Sequence, residues 1–161
     1  MNAIDFLKAQ HRMVEDLFSR IQKAKDVNKK ETLFTDLADS LAVHASIEEH
    51  HFYPGVKSRS TEELLLESVE EHLAMKRVLS DLLDISVDDE TFDAKLKVLK
   101  DLVVRHVQEE EDTLFPKVAK NVDKADLEEI AQAMLAEQAE LEDRGNPREV
   151  VPTETERAAP I

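Results

Sequence analysis

The chain has 161 residues, 42% of them apolar, which is enough to bury the core of one domain. Its formal charge of −15 argues against nucleic-acid and anionic-membrane partners, because phosphate is repelled, and it favours cations. With no cysteine, disulfides, thiolate catalysis and cysteine-held zinc or iron–sulfur sites are excluded.

Leu, Ala, Glu, Lys and Asp dominate, and the only glycines are Gly55 and Gly145, so the composition forms helices. The opening MNAIDFLKAQH lacks the basic stretch and apolar core of a secretory leader, and no apolar run is long enough to span a bilayer. A soluble cytoplasmic protein, monomeric or weakly dimeric, is expected.

Apolar residues recur at alternating steps of three and four, which is helix spacing. The first stripe is Ile4, Leu7, His11, Val14, Phe18 and Ile21, and the second is Leu33, Leu37, Leu41, His44, Glu48 and His51. The third is Leu65, Val69, His72, Lys76, Leu79 and Leu83, and the fourth is Phe92, Leu96, Leu99, Val103, His106 and Glu110. Asn28 with Glu31, and Ser60 with Glu63, read as capping boxes for the second and third helices. Asp88 or Asp89 can open the fourth, and Pro54 and Pro116 sit where a helix stops or kinks. A fifth, shorter helix is expected from about Asp123 to Asp143, closed by Gly145 and Pro147. The spacing predicts an all-α protein, an up-down-up-down four-helix bundle over residues 1–120. An accessory helix over 121–144 and a flexible or loosely docked tail over 145–161 follow it.

The second half repeats the first. "HASIEEHHFYP", His44–Pro54, matches "HVQEEEDTLFP", His106–Pro116, and His11 aligns with His72. Two copies of one helical hairpin about a pseudo-two-fold axis are implied. His11, His44, Glu48, His72, His106 and Glu110 occupy stripe positions that otherwise hold Leu, Val and Ile. Burying such groups is costly unless each is paired or metal-bound. A lone inward histidine is commonly a satisfied core residue, but here the placement occurs four times with two glutamates. Positions four apart on a helix lie about 40° apart, one turn up, so each His-x3-Glu pair aims an imidazole and a carboxylate at one point. That donor set suits iron, manganese or zinc, and two carboxylates related by a pseudo-two-fold suit bridging two ions. The ferritin-like alternative, Glu-x-x-His, fits Glu48 and His51 but fails on the repeat, where the pair would be Glu110 and Thr113.

In this order of ligands, with each half closing on Glu-Glu and an aromatic-Pro, the chain resembles the hemerythrin-like HHE cation-binding domain. It is similar in particular to short actinobacterial-type members, over about residues 3–120. The resemblance implies a non-haem centre of two iron ions with an oxo or hydroxo bridge. His11, His44, His72 and His106 would be its imidazole ligands, with Glu48 and Glu110 as bridging carboxylates. One departure stands out. Oxygen-carrying hemerythrins have a further histidine where this chain has Lys76, and a protonated lysine cannot ligate. Tyr53, whose repeat partner is Phe115, is a candidate replacement ligand, or else a core aromatic with its hydroxyl at the rim. Glu15 is the repeat partner of Lys76. The two are read as an ion pair beside the site, with ligation by Glu15 as the sharper alternative. Glu49 and Glu111 are expected to be solvated or ion-paired, His50 to face outward, and His51 to lie at the rim.

A centre short of one histidine has an open position, as catalytic metal sites do. The resemblance therefore implies reaction with dioxygen, hydrogen peroxide or nitric oxide, with catalase-like peroxide decomposition ahead of oxygen storage. An iron- or oxygen-sensing module without turnover is the alternative. A histidine phosphotransfer bundle would require an outward His72, against the stripe.

Overall fold

The computed structural model describes residues 1–161, which are helical in every regular element, with no strand. Helix α1 is Ala3–Lys23 and α2 is Val27–Ile47. α2 runs on through a π-turn, Glu48–Phe52, into one last α-turn, Tyr53–Gly55. α3 is Glu62–Leu83. α4, Phe92–Glu109, continues through a second π-turn, Glu110–Leu114, into Phe115–Asn121. α5 is Lys124–Arg144, and a 3-10 helix follows at Pro147–Glu154. None of these helices is long and apolar enough to cross a membrane.

The helix starts differ from the capping boxes expected. Asp26, not Asn28, caps α2 by accepting the Lys29 N–H at 2.9 Å. Thr61 precedes α3, but its hydroxyl is spent on Val56 O and the Ser58 N–H. Thr91 precedes α4, and Asp89 secures the turn by accepting the Thr91 N–H and hydroxyl. An N-cap needs extended backbone and a short polar side chain, and of the three only Asp26 has both; Thr61 and Thr91 lie in the right-handed helical region.

Both prolines widen their helices; α2 then ends at Gly55, one residue after Pro54, while α4 runs on to Asn121. Pro54 and Pro116 have no N–H, and each ring crowds the carbonyl four residues back. The backbone answers with a longer loop: the Tyr53 N–H donates to Glu48 O, and the Phe115 N–H donates to Glu110 O. Both copies of the repeated phrase therefore end in a π-turn, a device that recurs at functional sites.

Two apolar clusters make the core. One holds Phe18, Phe34, Leu37, Phe92 and Leu99, with Phe34 and Phe92 edge-to-face at 5.1 Å. The other holds Leu7, Ile47, Phe52, Tyr53, Leu65 and Phe115. Each fully buried side chain of this size contributes about 1.5–3 kcal/mol. The buried histidines and glutamates lie between the clusters. Along α1 the order is Leu7, His11, Phe18, and along α2 it is reversed: Leu37, His44, Ile47. On α3 the histidine likewise falls between a residue of each cluster, Leu65 and Leu79, and on α4 between Leu99 and Leu114. All four helices thus carry their histidine through one polar layer at matching depth.

Of the two states expected for the last residues, flexible or loosely docked, the structure has the docked one. Gly145, at φ 80° and ψ 155°, and Asn146, in the left-handed region, turn the chain back over α2 and α3. Val151 is then 1% exposed in the first cluster, and Arg148 pairs with Asp39. Val151, the Arg148–Asp39 and Lys76–Glu154 pairs and Arg77 dock this segment, which composition alone does not disclose. The Gly145 backbone is open to essentially no other residue, although a side chain there would meet nothing. Gly145→Ala is therefore expected to destabilise the fold by about 1–3 kcal/mol through backbone strain alone, as read from urea unfolding midpoints.

Candidate metal centre

The polar layer brings together all six residues that the spacing singled out. His11, His44, Glu48 and Glu110 place one ligand atom each within 4.8 Å of one another. Glu48, His72 and His106 form a second such group, so Glu48 belongs to both. His44 Nε2 and His72 Nε2 approach Glu48 Oε1 at 3.0 and 3.1 Å. His11 Nε2 and His106 Nε2 approach Glu110 Oε1 at 3.2 and 3.4 Å. Both carboxylates therefore lie between two imidazoles from different helices.

The outer ring nitrogens explain why the inner ones all point the same way. His72 Nδ1 is 2.7 Å from Glu49, and His11 Nδ1 is 2.7 Å from Glu111. His44 Nδ1 is 2.7 Å from Gln10 Oε1, and His106 Nδ1 is 2.9 Å from Glu71. Partners of this kind fix ring orientation and tautomer in metal sites and raise ligand basicity. They follow the pseudo-two-fold. The residue before each odd-helix histidine, Gln10 or Glu71, orients the histidine of the next helix. The residue after each central glutamate, Glu49 or Glu111, reaches the histidine of the other hairpin.

These four were missed as site residues. Glu49 and Glu111 are ion-paired, to Lys76 and Arg12, which is one of the two expected states; that each also orients a histidine is the part not expected. Their signal was the doubled Glu-Glu of each phrase: an offset of about 100° turns the second carboxylate toward the adjacent helix. Gln10 and Glu71 carried no signal beyond standing next to a histidine.

Charge balance settles where Lys76 belongs. It donates to Glu49 at 2.9 Å and lies 3.4 Å from Glu154. The expected pairing of Lys76 with Glu15 is absent: Glu15 is 46% exposed on the outer face of α1, 3.5 Å from Arg12. Lys76 thus bears on the layer through Glu49 and His72, and Glu15 has no part in it. On the other half, Arg12 pairs with Glu111. His50 and His51 turn outward to Glu137 of α5, at 2.7 and 3.2 Å, so His51 leaves the ferritin-like alternative without its histidine. His72, 2% exposed, does not offer the outward imidazole that phosphotransfer requires.

Tyr53 is not at the rim. Fully buried, it donates from its hydroxyl to Glu110 Oε2 at 2.8 Å, 3.2 Å from His72 Nε2 and 3.5 Å from His106 Nε2. Phe115, its repeat partner, instead stacks on His11 with ring centroids 5.8 Å apart. The halves therefore differ by one hydroxyl aimed into the His72 and His106 side of the layer.

Burial and hydrogen bonding shift the ionisation of the groups across the layer. Burial disfavours the His72 imidazolium, but hydrogen bonds to Glu48 and Glu49 outweigh it and hold the group up to about 10. Burial, aided by the neighbouring His72 charge and opposed by Glu110, pulls His106 down to about 4. Burial and the Glu48 charge raise Glu110, whereas Glu48, against burial, is held low by His44 and His72. Burial and Glu110 push the Tyr53 phenol well above its ordinary range. Five buried side-chain atoms lack a hydrogen-bond partner, and four of them are His11 Nε2, His44 Nε2, Glu48 Oε2 and Glu110 Oε1. Orphaned imidazole nitrogens and carboxylate oxygens converging on one point fit a divalent or trivalent cation and fit little else.

The hemerythrin HHE cation binding domain profile matches residues 2–118. The crystal structure of a hemerythrin HHE cation binding domain-containing protein from Mycobacterium kansasii superposes with a TM-score of 0.77 at 26% identity, over 89% of each chain. A DNA nickase from Nostoc sp. is 31% identical over 144 residues, 89% of this chain, which spans only 41% of that protein's length. With the profile covering most of its length, and the buried His and Glu groups at the positions where the two copies of the phrase align, this chain belongs to the hemerythrin HHE cation-binding domain family.

Proposed function

We propose that this chain holds two iron ions at the centre of an up-down-up-down four-helix bundle and reacts with dioxygen or peroxide, peroxide decomposition being the favoured activity. One observation carries the reading: two ligand groups share Glu48, and every histidine Nε2 faces them while its Nδ1 is tied back. His11 and His44 would hold one ion and His72 and His106 the other, with Glu48 and Glu110 bridging. Tyr53 would replace the histidine absent at Lys76, since its hydroxyl already lies beside His72 and His106. Iron in such a site supplies redox cycling and Lewis acidity. The chain's residues hold the pair together, orient the imidazoles and exclude bulk water. His72, and after it Lys76, hold the Glu49 carboxyl below its ordinary range against burial, so that Glu49 accepts from His72 Nδ1. The reading takes the protein to be cytoplasmic and a monomer or weak dimer.

A second reading, an iron- or oxygen-sensing module without turnover, is favoured by one set of contacts. The last two elements touch the orienting shell: Gln138 of α5 accepts from Gln10 at 2.9 Å, and Glu154 approaches Lys76. Nickase activity is not carried over. The shared stretch is a minority of that relative, and a charge of −15 repels phosphate.

Metal analysis and the near-ultraviolet spectrum, before and after peroxide, test the proposal. Two irons per chain with oxygen evolution are expected. Two irons with no evolution favour the sensing module, and one zinc with no response sinks both. Because Tyr53 ionises only against a strong positive charge, ferric loading is expected to produce a visible phenolate band that Tyr53→Phe removes. A protonated imidazole cannot ligate, so His72, charged up to about pH 10 in the metal-free protein, must release its proton on loading. Metal uptake near neutral pH should therefore release protons, and apparent affinity should fall as pH falls. Calorimetry in buffers of different ionisation enthalpy measures both.

A further inference from the structure

The polar layer is closed on one side and open on the other. Phe52, Tyr53 and Phe115, each no more than 1% exposed, seal the side of the second apolar cluster. On the side of the first cluster lies a cavity of about 50 Å³ whose wall includes His11, His44, His72 and His106. The rest of its wall is mostly apolar, and Val151 and Glu154 of the 3-10 helix complete it. A water needs about 10–15 Å³ by this kind of measure, so the space suits a molecule of two or three heavy atoms. An apolar wall taxes an anion heavily and a neutral molecule little.

We propose that the 3-10 helix Pro147–Glu154 is the gate of this cavity and controls the entry of one small uncharged molecule to the layer. Val151 is the stopper: it is the one buried residue of that helix. The Lys76–Glu154 pair is the latch. Both residues line the chamber and also an outer cleft walled by Glu49, His50 and Arg157, so the pair stands at the boundary between them. The gate is held by partly exposed contacts, Arg148 to Asp39 and Arg77 to the carbonyls of Thr155 and Glu156. Contacts of this kind are weak singly, which suits a segment that opens without unfolding the bundle. The gate lies outside residues 2–118, the part matched by the family profile, and so is a property of this chain's C-terminal segment. The chamber's role rests on the metal-centre reading, while its existence and gating do not.

Xenon is the probe, since apolar cavities of this kind take it up. Xenon titration of the full metal-free chain, followed by methyl NMR, is expected to show saturable shifts at Leu99, Val103 and Val151. Val151→Phe should abolish them. Val151→Ala, which removes the stopper's two methyl groups, should quicken xenon exchange. Glu154→Gln should do so by up to about fivefold, the range for loss of one partly exposed ion pair. In the ferrous-loaded chain the bound xenon signal should broaden, because the cavity touches all four imidazoles. No saturable site, or exchange that neither Val151→Ala nor Glu154→Gln alters, overturns the proposal. Iron content is measured separately: a chain that takes up iron yet shows no xenon broadening loses the chamber but keeps the centre. A chain that takes up no iron loses the centre, and with it the chamber's role.

Discussion

Everything in this molecule is arranged around four imidazoles and two carboxylates forced into the middle of an apolar bundle. Removing a charged or strongly polar group from water costs several kcal/mol unless a partner offsets it. That cost is met in two ways. Apolar clusters above and below the layer hold the four long helices together independently of it. Within the layer, each outer imidazole nitrogen has a partner from a neighbouring helix, so the strain of assembly collects at the inward atoms. Four of those atoms, His11 Nε2, His44 Nε2, Glu48 Oε2 and Glu110 Oε1, are left without hydrogen bonds.

The repeat gives this arrangement its economy. One hairpin design, used twice, supplies two imidazoles, one central carboxylate and two orienting groups, and the copies interlock because each second glutamate reaches into the other half. Function then turns on where the copies differ. Tyr53 against Phe115 places a hydroxyl on one side only. Lys76 against Glu15 places a buried cation behind Glu49, whereas Glu111 relies on the exposed Arg12. The two ends of the layer are therefore chemically unequal although the scaffold is nearly symmetric, and unequal ends suit a centre that binds its ligand on one side.

The segments after the bundle are tied to the layer and not simply appended. α5 brackets the first π-turn through Glu137 and steadies Gln10 through Gln138. The 3-10 helix closes the apolar side through Val151 and reaches Lys76 through Glu154. The layer and the surface are therefore joined by physical routes, each one or two hydrogen bonds long, from a histidine's orienting partner to a partly exposed side chain.

The helices, their inward stripes and the six convergent residues were legible in the chain itself. Helical periodicity is local, and a histidine or glutamate in place of a leucine every turn is visible without coordinates. The doubled phrase made the pairing of the halves legible for the same reason. Helix starts were less so, because several adjacent residues can cap. What the sequence could not disclose lies between helices. It could not say that Glu49 and Glu71 cross to histidines of neighbouring helices, or that Lys76 serves Glu49 and not Glu15. It could not say that Pro54 widens its helix and leaves Tyr53 facing the centre, or that Val151 docks a segment that reads as a tail. Each is a contact between residues distant in sequence, set by the rotation and depth of packed helices to within a fraction of a turn. Periodicity determines which face of a helix looks inward; only the packed tertiary structure decides which atom on that face meets which partner.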